Sequence, residues 1–361
     1  MKNLVIKKAL GVKLLLPLLF LVGCIDQIPF EFGEGVTRVV IDGMITNRPG
    51  PHTVRITTTR TFSAGNIGQS PPVTGAIVTI SDDQGLSEEL TEVEPGIYRT
   101  SPNGIQGQVG RSYALSVVLD DGTRYQSNPE LLRSVPEIDS VYAQFTNEQV
   151  LNDQSLLEDN PGFDVFLDMQ DDGDTRNFYL WNWRGTYVLI TAPELHTVNA
   201  PGGGRVPDPK PCCAECYTNE YNTSILVSDD AFFNGRALTR EKVAFIRVTP
   251  QSFNVRYQVD VEQLSITPAA FEFWNLLREQ RDNVGSIFDP APAQIRGNIV
   301  NLADPDDLVL GYFGASAVTR KSIVLDPEAI DIRLPAYEPI PDDCRVIENS
   351  STVPPNTWIS F

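Results

Sequence analysis

Cys212, Cys213, Cys216 and the distant Cys344 are the residues whose type and spacing most directly suggest chemistry. A fifth cysteine, Cys24, stands apart at the end of an N-terminal apolar run. Four remaining cysteines are an even count, which in an exported chain points to two disulfides. Three pairings exist, and a bond between the adjacent Cys212 and Cys213 is strained, which leaves two realistic ones. A short bridge within 212–216 and a long one to Cys344 would tie a Pro-rich loop to the C-terminal tail, adding roughly 2–4 kcal/mol. The competing chemistry is a tetrahedral zinc site, because Cys213-Ala-Glu-Cys216 has C-x-x-C spacing. An oxidising compartment and the lack of a second C-x-x-C weigh against it.

Asp168-Met-Gln-Asp-Asp-Gly-Asp174 resembles the start of a calcium loop, with Asp168, Asp172 and Asp174 as candidate oxygen ligands and Gly173 allowing a sharp turn. Tyr179 stands where the bidentate acid belongs, so a turn between two strands is the simpler reading. Proton-transfer catalysis is poorly supplied. Only His52 and His196 are present, and no G-x-S-x-G, H-E-x-x-H or P-loop sequence occurs. No catalytic residue and no cofactor is expected. A carboxylate pair of the glycosidase kind does not stand out from acids that merely solvate an acidic surface. Phe178, Tyr179, Trp181, Trp183 and Tyr187 suggest a stacking platform, but one aromatic row in a strand is more often core. Asp139-Ser140-Val141 resembles a short O-glycosylation acceptor.

The N-terminus explains Cys24. Lys2, Lys7, Lys8 and Lys13 precede the apolar run Leu14–Val22, too short to span a bilayer and laid out as a signal peptide. Leu21-Val-Gly-Cys24 resembles a bacterial lipobox, so residues 1–23 read as a removed signal and Cys24 as an acylated anchor. Ile25, in place of a retention aspartate, favours the outer membrane, and Asp26, Glu31 and Glu34 lean the expectation towards the cell surface. Losing four lysines moves the formal charge from −19 to −23. That acidity repels phosphate backbones and excludes nucleic acid as a main partner.

The elements that must position these residues are mainly strands. Residues 24–35 read as a lipidated tether, and residues 36–135 hold six or seven short alternating strands, an immunoglobulin-like sandwich. Asp120-Asp-Gly122 between 111–119 and 123–125 is a hairpin signal. Residues 137–361 read as a second, larger β-sandwich with a cysteine-tied loop at about 191–225. Strands are expected at 138–146, 163–169, 177–190, 242–249, 253–266, 308–318 and 321–325. Phe253–Val261 alternates strictly, predicting one buried and one wet face. One helix is expected at about 268–282, with Thr267 as N-cap, Pro268 first, and Ala270, Phe273, Trp274 and Leu277 as its apolar stripe.

Val39–Thr46, Pro49–Ile56 and Pro72–Ile80 resemble the amino-terminal half of a Bacteroidota lipoprotein family labelled domain of unknown function 4249. Gly96–Thr100, Pro136–Ser140, Asn177–Trp181 and Leu310–Ser316 resemble its later landmarks. The first region is also similar to the peptidase-regulatory or prealbumin-like sandwiches that accompany TonB-dependent receptors. The resemblance implies location and a receptor partner, and it assigns no catalytic residues. The expected function is therefore a non-enzymatic outer-membrane accessory of a TonB-dependent receptor in nutrient uptake. The alternatives are a structural envelope or adhesion module and, more weakly, a carboxylate-based surface hydrolase. Oligomeric state is not legible.

Overall fold

Period-two alternation builds most of the chain. The computed structural model describes residues 37–60, 70–152, 154, 156–282 and 294–359. The signal segment, Cys24 and the tether lie outside the described residues. The early strands are β1 (Val39–Thr46), β2 (Thr53–Thr58), β3 (Ile77–Asp82), β4 (Ser87–Glu89), β5 (Thr91–Glu94), β6 (Ile97–Arg99), β7 (Ser112–Val118), β8 (Arg124–Ser127) and β9 (Glu130–Leu131). Then come β10 (Ile138–Leu151), β11 (Leu157–Gln170), β12 (Phe178–Ile190), β13 (Thr197–Asn199), β14 (Arg205–Pro207), β15 (Glu215–Tyr221), β16 (Leu226–Asp229), β17 (Ala237–Arg247) and β18 (Tyr257–Ser265). Helix α1 (Pro268–Asp282) precedes β19 (Ile299–Asn301), β20 (Phe313–Ser316), β21 (Val318–Leu325) and β22 (Ser350–Ser351).

The first sandwich packs the sheet β20-β1-β2-β6-β5 on the sheet β19-β8-β7-β3-β4, with β9 joined to β7. Alternation decides which side chains meet. Val54 and Ile56 of β2 and Tyr113, Leu115 and Val117 of β7 are buried, whereas Thr53 and Arg55 face outward. The Asp120-Asp-Gly122 turn joins β7 to β8: Gly122 has φ of +86°, and Asp121 Oδ1 accepts from the Thr123 amide at 2.8 Å.

The second layered region sets β10-β11-β17 against β21-β18-β12-β15-β22, with β16 also pairing β12. Phe163, Val165 and Leu167 of β11 meet Tyr179, Trp181 and Leu189 of β12 and Val259 and Val261 of β18 in one core. Trp181 is fully buried, and its indole N–H donates to Gln263 Oε1 at 2.9 Å, so no polar group is orphaned there. The aromatic row is core, not a platform.

The stretch expected to belong wholly to the second region supplies two strands to the first. β19 pairs antiparallel with β8, and β20 pairs parallel with β1, aligning Gly43 with Phe313 and Thr46 with Ser316. The strand expected at 308–318 is thus divided, because after Ala317 the chain enters β21 and pairs with β18 in the other sheet. Arg38–Thr59 and Ser70–Phe361 accordingly form one compact unit.

Helix α1 begins where its local signals place it: Thr267 Oγ1 accepts from the Ala270 amide at 3.2 Å, and Pro268 is the first helical residue. Ala270 and Phe273 are buried in a third cluster with Phe178, Leu264, Ile266 and Tyr312, and Trp274 and Leu277 pack on its edge. Among the described residues no helix is long and apolar enough to cross a membrane.

β18 departs from expectation. It starts at Tyr257, after a turn, and both of its faces are buried. The face expected to be wet carries Gln258 and Asp260, which the C-terminal tail covers. Gln258 Nε2 donates to Thr357 O at 2.8 Å, and the Ile359 amide donates to Gln258 Oε1 at 2.9 Å. Beyond Gly162 and its partner Arg247, β10 and β11 continue as a two-stranded arm whose tip exposes Val150, Leu151, Leu156 and Leu157.

Candidate functional site

Outward-facing positions of the first sandwich form one wall of a cleft of about 680 Å³. That volume falls inside the range of about 300–1,000 Å³ common for small-molecule sites. The strand period sets the wall's membership. Asp42 and Met44 alternate with core-facing Ile41 and Ile45 on β1, Thr53 and Arg55 alternate with Val54 and Ile56 on β2, and Gly314 and Ser316 alternate with Phe313 and Ala315 on β20. Leu180 and Asn182 of β12, with Asn222–Ile225, contribute to the lining from the second region. Ile266, Thr267, Ala270 and Trp274 contribute from the start of α1. A smaller cavity of about 380 Å³ shares Asn182 and Asn222 and continues past Arg184 and Asp260.

Glu130 is the polar anchor of the cleft. It is buried, accepting from Tyr312 Oη at 2.6 Å and Asn298 Nδ2 at 3.1 Å on Oε1, and from Thr267 Oγ1 at 2.6 Å on Oε2. Burial pushes the Glu130 carboxyl above its ordinary range, and the three donors only partly oppose this. Burial and the neighbouring carboxylate likewise raise the Tyr312 hydroxyl.

Asp42 and Arg55 are register partners across the β1–β2 ladder, both exposed to the cleft's solvent. Enclosure by protein raises the Asp42 carboxyl, and the charge of Arg55 pulls it back down. Ser316 is 1% exposed, and its Oγ has no hydrogen-bond partner among the described residues. His52 also borders the cleft, but it shares the core-facing side of the strand with Val54 and Ile56. Burial lowers its imidazole and so favours the neutral ring, while the charge of Glu88 pulls the other way.

The residues singled out by type lie elsewhere. Cys216, buried on β15, is bonded to Cys344 at a Cα separation of 5.8 Å. The Cys344 amide donates to Cys213 O at 2.9 Å, holding the tail against the loop. Cys212 and Cys213 are bonded to each other, with Cα atoms 3.1 Å apart and a cis peptide between them. The expectation that adjacent cysteines would avoid one another is therefore corrected. Once Cys216 is taken by Cys344, neither adjacent thiol has another partner.

Asp168 is engaged within its own sheet, accepting from the Arg240 amide at 2.7 Å, Ser140 Oγ at 2.8 Å and Tyr142 Oη at 3.2 Å. Those donors, the Arg240 amide first, hold its carboxyl below the usual range. Asp172 and Asp174 are exposed in the β11–β12 turn. Asp171, which precedes Asp172, is buried, accepting from Tyr179 Oη and, at 2.8 Å, from the Gly235 amide. Among the described residues no group of three or more His, Cys, Asp or Glu side chains is arranged to hold a metal ion. His196 Nδ1 lies 2.8 Å from Asp208 O, in the β13–β14 region.

Sequence reasoning missed the cleft itself, although three segments quoted as family landmarks, Val39–Thr46, Pro49–Ile56 and Leu310–Ser316, supply its first wall. No local signal announces that β20 returns to lie beside β1. A family model described as a domain of unknown function (DUF4249) matches residues 25–322. No curated protein matches the chain.

Proposed function

Because the chain belongs to the DUF4249 family, we propose that it is an exported lipoprotein, held in the outer membrane by acylated Cys24, that serves as a binding accessory of a TonB-dependent receptor in nutrient uptake. The cleft carries the binding part of this reading. A concave site of small-molecule size, with a buried polar anchor and apolar residues around it, is the form a ligand site takes. The anchor is supported by Leu21-Val-Gly-Cys24, which immediately precedes the first residue matched by the family model. The receptor part is supported by the family resemblance and by the projecting β10–β11 arm, whose exposed leucines offer apolar surface to another protein. The protein acts by binding, without catalysis of its own, and faces the cell exterior.

The test is co-purification from gently solubilised membranes with a tag on this chain, alongside palmitate labelling of wild type and Cys24→Ala. The receptor is expected in the wild-type eluate, and the label is expected to vanish in the variant. Repeated absence of any such receptor, or label retained by Cys24→Ala, counts against the reading.

A further inference from the structure

The charges and hydrogen-bonding groups of the cleft select among ligand classes. Among the described residues Arg55 is the only Lys or Arg in the lining, and Asp42 stands opposite it on the same outward face. The two interact through their charges, yet no ion pair closes between them among the described residues. Each therefore keeps its hydrogen-bonding capacity towards the cleft. A lone anion such as phosphate meets Asp42 beside its only cation, and a lone cation meets Arg55, so both are disfavoured. A neutral polyol would leave the charges of Asp42 and Arg55 without a counterpart, and the Asn222 side chain is already engaged with Ser224 O at 2.8 Å, Trp183 N at 3.4 Å and Asn182 at 3.5 Å. The rest of the lining from the second region and α1 combines the apolar Leu180, Ile225, Ile266, Ala270 and Trp274 with the polar Asn182, Thr223, Ser224 and Thr267.

We propose that the cleft takes a small zwitterion of the amino-acid or short-peptide class, its ammonium on Asp42, its carboxylate on Arg55, and its side chain on the apolar surface that includes Trp274 and Ile225. Opposite charges a short distance apart on the ligand match a cation and an anion facing each other across one ladder. Ser316 supports this. A hydroxyl 99% removed from solvent and without a partner among the described residues sits on the same face, on β20 next to β1, and offers the ligand one more donor. Glu130, by fixing Tyr312 and Thr267, keeps the cleft in shape without itself needing to meet the ligand.

This proposal rests on the binding role assigned above and narrows it to one ligand class. Its test is calorimetric titration of the purified mature chain with L-leucine, leucyl-leucine, N-acetyl-leucine, leucinamide, maltose and inorganic phosphate. Saturable binding of leucine or leucyl-leucine is expected. Blocking either charged end, or making Arg55→Gln or Asp42→Asn, should weaken it at least about tenfold, the loss that accompanies one charge-assisted hydrogen bond. Ser316→Ala should weaken it by a smaller factor, with the melting temperature unchanged. Binding of maltose or phosphate in place of the zwitterions, zwitterion binding indifferent to both charge variants, or no binding of any zwitterion overturns the proposal. Receptor co-purification is scored separately, so the accessory role can stand while the ligand class falls.

Discussion

Glu130 and Tyr312, 182 positions apart, share a 2.6 Å hydrogen bond that joins the edge of the first sandwich to the segment returning from α1. Because burial raises the folded-state pKa of Glu130 above its unfolded value, the fold binds that proton more tightly than the open chain does. Its contribution to stability is fully present below the unfolded value of about 4.3 and is lost as pH rises through the folded one. Glu130→Gln removes the titration while keeping the shape. The melting temperature of wild type minus that of Glu130→Gln should fall as pH is raised from about 4 towards neutral. A flat difference refutes the assignment. Glu130→Ala leaves three donors unanswered and should cost about 2–4 kcal/mol in denaturant unfolding.

The Cys216–Cys344 bond spans 128 positions and anchors the tail that covers Gln258 and Asp260. Cys344→Ser should destabilise the mature chain by about 2–4 kcal/mol, measured by denaturant unfolding under non-reducing conditions. Alkylation without reductant should leave the mass unmodified at Cys212, Cys213, Cys216 and Cys344. Four modified thiols would show that neither bond exists in the isolated protein.

Gly311 lies at φ of +91°, and a Cβ built there would sit 2.0 Å from Ile41 O. Neighbouring Leu310 exchanges backbone hydrogen bonds with β1, donating to Val39 O at 3.0 Å and accepting from Ile41 N at 2.9 Å. Gly311→Ala combines a strained conformation with a backbone clash and should cost upward of about 2 kcal/mol. Because β20 would be displaced from β1, the same variant should also lose ligand binding. A melting temperature equal to wild type would argue against this crossing.

Leu151 and Leu157 are 67% and 66% exposed at the tip of the β10–β11 arm. Leu151→Ser with Leu157→Ser should leave stability within about 0.5 kcal/mol of wild type, as surface changes generally do. Receptor recovery in co-purification should nonetheless drop several-fold. Recovery unchanged by the double substitution would move the docking surface away from the arm.

Local signals made some of this legible. Thr267 and Pro268 mark the start of α1 because capping is decided within one turn of chain. Val54 and Ile56, or Leu115 and Val117, declare their buried faces because a strand's period is a property of neighbouring residues. The wet face expected along Phe253–Val261 was lost for a non-local reason. The tail lies on it, and there Asp260 receives donors from Arg184, Thr357, Ser322 and Gln258. Burial alone would raise the Asp260 carboxyl, and those donors, Ser322 first, outweigh it and hold it low. A polar residue at a strand position signals solvent only until another segment supplies its hydrogen bonds.

From its sequence alone this protein is determined to be a mainly β, acidic chain with one helix, a family landmark pattern and an apolar run ending in Cys24. The tertiary structure decided the rest: which cysteines meet, that 308–318 serves two sheets, and that Asp42, Arg55, Ser316 and Trp274 border one cleft. The reason is physical. Periodicity and capping act between residues a few positions apart, whereas the pairing of β1 with β20 and the union of Cys216 with Cys344 depend on contacts between residues more than a hundred positions apart, which no local pattern encodes.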